Sequence, residues 1–369
     1  MTGLLVHEWI ESSGGAENVL EAMARAFPDA DIQCLWDDAP HRFADRTVRE
    51  TWLARTPLRR HKALALPFTL GAWRGLSAPH DYEWMLVSSH LFAHHATLAR
   101  RDVPKYVYAH TPARYIWNPE LDERGNSIAV KAVSPLFQRI DRRRVQEATA
   151  IAANSAFVRD RIAEAWEREA VVIHPPVAVE RIFSQSDWRT EVTDADELHL
   201  LEQLPTPFIL GASRFIPYKR LDLVIAAGER TGLPVVIAGR GPEEQRLRAI
   251  AETAKVPVRI VVSPSDALLY ALMQLASVFV FPPVEDFGIV PVEAQAAGTP
   301  VVTGPVGGQL ETFEIGVSGI SADSAAVDDL ARATNTAMML PIFDPQAQTA
   351  HFTERTFAQR ISSFVSSGR

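Results

Sequence analysis

Two carboxylates with a glycine between them are the strongest chemical signal in the sequence. Glu285 and Glu293 are separated by seven residues within VEDFGIVPVEAQAAGTPVV (284–302), with Gly288 between them. Pro291 suits the first helical position, which predicts Glu285 in a loop and Glu293 in the first turn of the following helix. Amide groups at a helix start favour an anion, and ionised carboxylates accept paired hydrogen bonds from vicinal hydroxyls. The pattern predicts binding of a sugar by one carboxylate and of a ribose by the other. The alternative is that Glu293 only complements the helix dipole and Glu285 is a solvated loop residue.

Two cations form the second signal. Arg214 and Lys219 lie five residues apart in GASRFIPYKRLDLVIAA (211–227), where the first is predicted to end a strand and the second to begin a helix. A pyrophosphate leaving group needs more than one cation, and arginine offers a fork where lysine offers a point charge. The alternative is a basic helix start on the surface. A cation at that end of a helix is unfavourable unless it has an anionic partner, which favours the diphosphate interpretation.

A glycine pair follows the first predicted strand. Gly14 and Gly15 stand in SSGGAENVLEAMARAF (12–27), and their lack of a side chain allows the backbone to approach a ligand closely. The segment lacks the G-x-G-x-x-G pattern of a dinucleotide site. By itself the pair leaves open whether this turn binds a ligand.

Histidines provide the last candidates. His110 ends a predicted strand in KYVYAHTPARYIWNP (105–119) and should face the ligand-binding edge of a parallel sheet. The alternative is a packed, hydrogen-bonded histidine. His90, His94 and His95 fall in SSHLFAHHATLARR (88–101), which is predicted to be a surface helix. Their spacing is not that of a metal site and no paired carboxylate accompanies them, so no metal is predicted.

These residues must be positioned by two series of short apolar strands that alternate with amphipathic stretches. Continuous apolar strands separated by helices indicate parallel sheets covered on both faces, and two series indicate two doubly wound α/β domains. A polar, acidic segment near residues 176–206 marks the boundary between them. The predicted strands are residues 4–9, 31–36, 83–89, 105–110, 150–155, 170–177, 208–214, 234–240, 258–264, 277–283 and 300–304.

Composition restricts the class of protein. The chain has 369 residues, 47% hydrophobic and 22% charged, with a net charge of −8. Lys plus Arg and Asp plus Glu number 22 and 22 in residues 1–175, then 15 and 23 in residues 176–369, so no basic excess suggests a nucleic-acid partner. The apolar run at the N-terminus is too short for a signal peptide, and Cys34 is the single cysteine. These features predict a cytoplasmic protein.

Blocks of sequence in order along nearly the whole chain resemble the retaining glycosyltransferases of family 4. The blocks are SSGGAE, YAHTPARYIWN, ANSAFVRDRI, VIHPPV, SRFIPYKRLD, AGRGPE, FGIVPVEAQAAGTPVV and GPVGGQLET. The resemblance implies the GT-B architecture, in which two Rossmann-like domains face each other across a cleft and a C-terminal helix packs back toward the N-terminal domain. It implies an acceptor-side domain at 1–180, a donor-binding domain at 181–350 and the returning helix at 351–369.

The resemblance also implies roles for individual residues. Arg214 and Lys219 would bind the donor diphosphate, Glu285 the transferred sugar and Glu293 the ribose, and His110 would lie near the reaction centre. His110, Glu285, Arg214 and Lys219 form the implied catalytic set. The implied donor-binding set adds backbone or side-chain contacts from Gly14, Gly15, Gly239, Phe287, Gly288, Ile289, Val290 and Glu293. The family transfers sugars with retention and without a tightly bound metal or cofactor.

The donor and acceptor are less closely defined. The HTPARYIWN and SRFIPYKRLDL blocks are similar to those of members that use GDP-mannose, but enzymes using UDP-glucose or UDP-N-acetylglucosamine share the catalytic blocks. The acceptor is expected to be a hydroxyl of a glycan, a lipid-linked or a small-molecule substrate. A sugar-nucleotide epimerase, a glycoside phosphorylase and a non-catalytic nucleotide-sugar-binding protein remain alternatives.

One segment suggests a membrane partner. Residues 49–76 combine Arg55, Arg59, Arg60 and Lys62 with aromatic and aliphatic residues, namely Trp52, Leu64, Leu66, Phe68 and Trp73. Such a segment can lie on an anionic bilayer and would place the protein on the inner face of the membrane. A solvated helix face beside core aromatics explains the pattern equally well.

Overall fold

The computed structural model describes residues 2–99, 103–117 and 128–367, with the side chains of 128–132 excepted. The chain divides into two compact units. Unit 1 comprises Met1–Pro176 and Glu354–Arg369, and unit 2 comprises Val177–Thr353.

The observed boundaries differ from the predicted ones by a few residues for a physical reason. Val177 donates its amide hydrogen to Phe352 O at 2.8 Å, and both side chains are buried in the core of unit 2. The chain therefore enters unit 2 at Val177, four residues before the predicted 181. It leaves after Thr353, because Phe352 belongs to that core.

Each unit contains one fully parallel sheet among the described residues. The strand order is β3-β2-β1-β4-β5-β6-β7 in unit 1 and β10-β9-β8-β11-β12-β13 in unit 2. The strands are β1 Gly3–His7, β2 Asp31–Cys34, β3 Val48–Glu50, β4 Trp84–Ser89, β5 Lys105–Ala109, β6 Ala150–Ala153, β7 Val171–Val172, β8 Ile209–Ala212, β9 Val235–Gly239, β10 Val258–Val262, β11 Val278–Phe281, β12 Val301–Thr303 and β13 Gly319–Ser321.

Helices cover both faces of each sheet. In β1, for example, Leu4 and Val6 pack into one core cluster and Leu5 into the cluster on the opposite face. The helices are α1 Gly15–Ala26, α2 Lys62–Ala72, α3 Arg114–Trp117, α4 Ile128–Val145, α5 Ala156–Trp166, α6 Val179–Phe183, α7 Ala195–Glu202, α8 Leu221–Thr231, α9 Glu244–Thr253, α10 Asp266–Leu275, α11 Ile289–Ala296, α12 Val327–Ala337, α13 Pro345–Thr349 and α14 Glu354–Ser366.

All eleven predicted strands are present, and two more were missed. The missed strands, β3 and β13, are three residues long and lie at a sheet edge. Their sequences, VRE and GIS, contain no apolar run because an edge strand is covered less completely. The predicted fold class, α/β with two Rossmann-like doubly wound domains, is confirmed. Among the described helices, none combines the length and the apolar character needed to cross a bilayer.

The C-terminal helix α14 returns to unit 1. Phe357, Ile361 and Phe364 are buried in a cluster with Tyr106 and Tyr108 of β5. At the helix start, Glu354 accepts a hydrogen bond from Arg25 Nη2 of α1 at 2.8 Å. The helix therefore completes the core on one face of the unit 1 sheet.

We predict that Ile361→Ala lowers the free energy of unfolding of unit 1 by about 2–5 kcal/mol, because it leaves a cavity in a closed core. Gln359→Ala, an exposed change on the same helix, is the matched control. The measurement is urea unfolding followed by hydrogen exchange of unit 1 peptides. Equal midpoints for the two variants would show that burial does not hold α14 in place.

Candidate active site

The loop that precedes α11 in unit 2 lies against a second loop, and both contain glycines. Gly288, with φ of 107°, caps the start of α11, and a Cβ on it would lie 2.9 Å from Gln309 Cβ. Helix α11 begins at Ile289, two residues earlier than predicted, since proline is tolerated anywhere in the first turn. The placement of Glu293 in the first turn is therefore wrong, because this residue lies in the second.

Lys219 and Glu285 are brought into direct contact. Lys219 is 9% exposed, and its ammonium forms an ion pair with Glu285 Oε1. The ammonium also lies 5.0 Å and 5.5 Å from the ring centroids of Tyr218 and Phe281. The Glu285 amide donates to Gln309 Oε1 at 3.0 Å. The glutamate is thus fixed through its backbone while its side chain faces a buried cation.

Lys219 does not begin a helix, contrary to the prediction. It ends a 3₁₀ turn, Pro217–Lys219, and α8 begins two residues later at Leu221. The residue between them, Arg220, has a φ of 50° in the left-handed region, which separates the turn from the helix. The turn directs Lys219 inward to Glu285.

Arg214 remains available to an external anion. It follows β8 by two residues, is exposed, and donates one long hydrogen bond of 3.4 Å to Tyr218 Oη. It forms no ion pair with any residue that the structure describes. An exposed guanidinium with unused donors can bind phosphate oxygens.

Gly239 and Phe287 have supporting positions in unit 2. Gly239 has a φ of 147°, and a Cβ there would lie 1.8 Å from Ser213 O, so only glycine allows the loop after β9 to lie against the loop that carries Arg214. Phe287 is 4% exposed and packs edge-on against Phe352 at 5.5 Å. Both residues shape the backbone around the candidate site.

Ile289 and Val290 occupy the first two positions of α11. Their amide groups have no acceptor within the helix, as at every helix start, and they carry the positive end of its dipole. The helix start can therefore accept a negatively charged group.

Glu293 carries an unusual carboxyl group. Burial, with a smaller contribution from the nearby charge of Asp266 on α10, raises its pKa to about 7. The side chain makes no hydrogen bond to another residue in the part of the chain that the structure describes. Such a group, when ionised, can accept hydrogen bonds from ligand hydroxyls.

The glycine pair of unit 1 caps α1. Gly14 is the residue before the helix and Gly15 its first residue, and both are exposed. A Cβ on Gly14 would lie 2.0 Å from Glu17 Oε2, so the glutamate folds back over the glycine. Burial raises the pKa of Glu17.

His110 follows β5 at the carboxyl edge of the unit 1 sheet, as predicted. Its Nε2 lies 2.9 Å from Ser88 Oγ, and its amide donates to Ser89 O at 2.8 Å. Burial, with a smaller contribution from the neighbouring His90 and His7, lowers its pKa to about 3, so the ring is neutral near pH 7. His110 therefore combines both predicted features. It lies at the carboxyl edge of the sheet, and it is a packed, hydrogen-bonded histidine. Asn118 of the YAHTPARYIWN block lies outside the described residues.

The prediction of a surface helix at 88–101 is wrong. The segment leaves β4 and forms a buried 3₁₀ turn, Ala93–His95. His94 and His95 are almost fully buried, and their Nε2 atoms lie 2.7 Å and 2.8 Å from Asp141 Oδ1. The other oxygen of Asp141 accepts from the indole nitrogens of Trp117 and Trp166. A carboxylate therefore does accompany these histidines, but α4 supplies it, about 46 residues downstream in the sequence.

Glu8 is a further residue that the sequence did not single out. It follows β1, is fully buried, and its Oε1 accepts from the amides of Leu91 and Ala93 at 2.8 Å and 2.9 Å. Burial raises its pKa, but the charges of His90 and His7 and these amide bonds outweigh burial and hold it at about 2. Its location directly after a strand end was the available signal.

Comparisons with known proteins agree with this geometry. A family model described as Glycosyltransferase Family 4 matches residues 13–181, and one described as Glycosyl transferases group 1 matches residues 196–353. The GDP-mannose-dependent alpha-(1-6)-phosphatidylinositol monomannoside mannosyltransferase of Mycobacterium tuberculosis is 28% identical over 57% of this chain and 60% of its own. The D-inositol 3-phosphate glycosyltransferase of Mycobacterium avium is 31% identical over 44% of this chain and 39% of its own.

Solved structures agree on the fold. The Anabaena protein Alr3699/HepE in complex with UDP superposes with a TM-score of 0.72 at 20% identity, and the match covers both chains completely. The sucrose-phosphate synthase of Thermosynechococcus elongatus gives 0.69 at 15% identity, covering 100% of this chain and 99% of its own. The matched region spans about three fifths of the length of the mycobacterial mannosyltransferases. From the two successive family matches, which together cover residues 13–181 and 196–353, and from the GT-B fold, we conclude that the chain belongs to the glycosyltransferases of family 4.

Proposed function

We propose that this protein transfers a hexose, with retention, from a sugar nucleotide to an acceptor hydroxyl, and that the donor is GDP-mannose. The contact between Lys219 and Glu285 beside the α11 helix start is the observation that carries the proposal. The mycobacterial mannosyltransferases that the chain resembles are GDP-mannose-dependent, which supports the choice of donor. The acceptor is a glycan, lipid-linked or small-molecule hydroxyl.

The chemistry follows from the charges in unit 2. Bond cleavage at the anomeric carbon increases negative charge on the departing diphosphate. Arg214 and the α11 amides can take up that charge directly, whereas Lys219 must first share its ammonium between Glu285 and the phosphate. The competition then leaves Glu285 free to accept hydrogen bonds from the hydroxyls of the transferred sugar. No group of the protein is assigned a covalent role.

We predict that Lys219→Ala and Glu285→Gln each lower the turnover number for transfer by about a hundredfold or more, the effect of losing one transition-state-stabilising group. Lys255→Ala, an exposed lysine of the same unit, is the control and should leave turnover unchanged. Steady-state kinetics with GDP-mannose and a hydroxyl acceptor is the measurement. Turnover within tenfold of wild type in either variant would contradict the assigned roles.

A panel of sugar nucleotides separates the alternatives. GDP-mannose should raise the apparent melting temperature more than UDP- or ADP-sugars, because a ligand stabilises the folded state according to its affinity. A larger shift with UDP-glucose would assign the other donor class instead. An isomerised sugar nucleotide formed without any acceptor would identify an epimerase, and donor binding without turnover would identify a binding protein.

The titration of Glu293 gives a separate test of the ribose contact. Only the ionised carboxylate accepts two hydroxyl hydrogens, and its pKa in the ligand-free protein is about 7. Donor binding must therefore deprotonate this group at acidic pH. The apparent affinity should then fall with the ionised fraction.

We predict that the Kd for GDP-mannose rises about tenfold from pH 8 to pH 6, as the ionised fraction falls. GDP-mannose is chosen because its substituted diphosphate, unlike GDP, has no proton that titrates in this range. Glu293→Gln should bind with a Kd that does not change with pH, measured by calorimetry. A wild-type Kd that is constant across this range would remove the ribose role from Glu293.

We also propose that unit 1 docks on an anionic membrane surface through a basic-apolar patch. The patch consists of Trp52, Arg55, Arg60, Leu64 and Phe68. Its three apolar side chains are 53%, 63% and 49% exposed, and Arg55 and Arg60 form no ion pair with a described residue. Leu64 and Phe68 lie one turn apart on α2, so they present one face.

The patch is less basic than the sequence suggested. Arg59 pairs with Asp38 at 2.7 Å and Lys62 with Glu11 at 2.7 Å. Two cations remain, each contributing about 1 kcal/mol near an anionic surface. Binding therefore depends on insertion of the apolar side chains as much as on charge.

We predict that the protein sediments with anionic phospholipid vesicles at low salt and that the double variant Leu64→Ser, Phe68→Ser does not. Leu198→Ser, which changes an exposed leucine of unit 2, is the control. Wild-type protein left in the supernatant would contradict the proposal, as would equal sedimentation of the double variant.

A further inference from the structure

Three side chains at the carboxyl edge of the unit 1 sheet converge without satisfying one another. Each of His7, Glu8 and His90 offers one ligand atom, and these three atoms all lie within 4.8 Å of one another. Two ring nitrogens of the group, His7 Nε2 and His90 Nδ1, are buried and have no hydrogen-bond partner. His7 is completely buried, so solvent does not satisfy its free nitrogen either. An unpaired buried polar atom is costly, and two in one place call for a missing partner.

Two other polar atoms of the group, His7 Nδ1 and Glu8 Oε1, are fixed by hydrogen bonds. His7 Nδ1 lies 3.3 Å from Ser88 O and 3.1 Å from its Oγ. Glu8 Oε1 is fixed by the Leu91 and Ala93 amides described above. Anchoring of this kind sets the orientation of metal ligands, where the second ring nitrogen is bonded to a carbonyl and the second carboxylate oxygen is hydrogen-bonded.

The geometry between Glu8 and His90 also suggests a shared ion. His90 Nδ1 lies 3.2 Å from Glu8 Oε2, an oxygen that also accepts from the His90 amide at 3.2 Å, but the ring nitrogen itself makes no hydrogen bond within the described residues. Two ligand atoms of the same ion lie close together, but their lone pairs point at the ion and not at each other. An ordinary histidine–carboxylate hydrogen bond would be in line.

The second histidine cluster of unit 1 provides the contrast. His94 and His95 also surround a carboxylate, that of Asp141, but all four contacts to Asp141 come from ring or indole nitrogens at 2.7–2.8 Å. That cluster is satisfied by hydrogen bonds and needs no ion. The His7 cluster is not satisfied.

We propose that His7 Nε2, Glu8 Oε2 and His90 Nδ1 bind one first-row divalent transition metal ion, with Zn²⁺ as the occupant. Two imidazoles and one carboxylate suit zinc better than Mg²⁺ or Ca²⁺, which prefer oxygen ligands. Three protein ligands leave a fourth position for water or a ligand hydroxyl. The side chain of His90 is 26% exposed, so an ion can reach the site from solvent beside this residue.

The proposal departs from the sequence-based expectation of no metal. That expectation considered His90 with its neighbours in 88–101, whereas the other two ligands come from the end of β1, more than eighty residues away. The proposed metal ligands all belong to unit 1, whereas the residues proposed to bind the diphosphate belong to unit 2. The proposal therefore does not rest on the proposed transferase function.

The test is the metal content of the purified protein. The chain is expressed with added zinc, purified without an affinity tag or chelator, and analysed by inductively coupled plasma mass spectrometry. We expect about one equivalent of zinc per chain, and a loss of at least tenfold in affinity for His90→Gln, which removes a ligand. His61→Gln, an exposed histidine elsewhere in unit 1, is the matched control and should keep the metal.

A second measurement does not depend on variant folding. Wild-type protein stripped with pyridine-2,6-dicarboxylate and refilled with Co²⁺ should show the visible absorption of a four-coordinate cobalt site with nitrogen and oxygen ligands. Less than about a tenth of an equivalent of metal together with no cobalt absorption would overturn the proposal. Unchanged zinc content in folded His90→Gln would overturn it as well.

Discussion

The ion pair between Lys219 and Glu285 is the interaction on which the candidate site of unit 2 depends. The two side chains are only 11% and 15% exposed, so removing one partner would leave a poorly solvated charge, which is costly. The ligand-free protein avoids this cost by pairing the two groups with each other. In the proposed function, the diphosphate of the donor pairs with the cation and the transferred sugar with the carboxylate. A single ligand that carries both groups then replaces the ion pair.

The topology of the parallel sheets explains why candidate groups lie at strand ends in both units. In a parallel sheet every carboxyl end lies at one edge, where the chain leaves the core and polar side chains become tolerable. In unit 2, Arg214 and Lys219 follow β8, and Glu285 follows β11. In unit 1, Glu8, His90 and His110 follow β1, β4 and β5 in the same way. The side chains differ between the units, with two cations and a carboxylate in unit 2 and a carboxylate and two imidazoles in unit 1. They lie at the strand ends for the same reason.

The sequence predicted what local spacing encodes and failed where distant segments meet. The eleven apolar strands and the loop that ends at Gly288 can be predicted, because each depends on residues close together in the chain. The predicted start of α11 is two residues late, because proline also occurs after the first helical residue. The surface helix at 88–101 was wrong because the burial of His94 depends on Asp141, and no local pattern contains that carboxylate. Glu8 was missed for the same reason: its amide partners lie more than eighty residues away.

The two histidine clusters of unit 1 show how satisfaction, more than residue type, separates a structural network from a binding site. Asp141 has a donor on every available side, so adding an ion there would require breaking hydrogen bonds that already offset its burial. Glu8 is also hydrogen-bonded, with Oε1 accepting from the Leu91 and Ala93 amides and Oε2 from the His90 amide. Its cluster differs because His7 Nε2 and His90 Nδ1 are buried without a hydrogen-bond partner among the described residues. Protein groups therefore offset the cost of desolvation at Asp141, whereas at the completely buried His7 they do so for only one ring nitrogen.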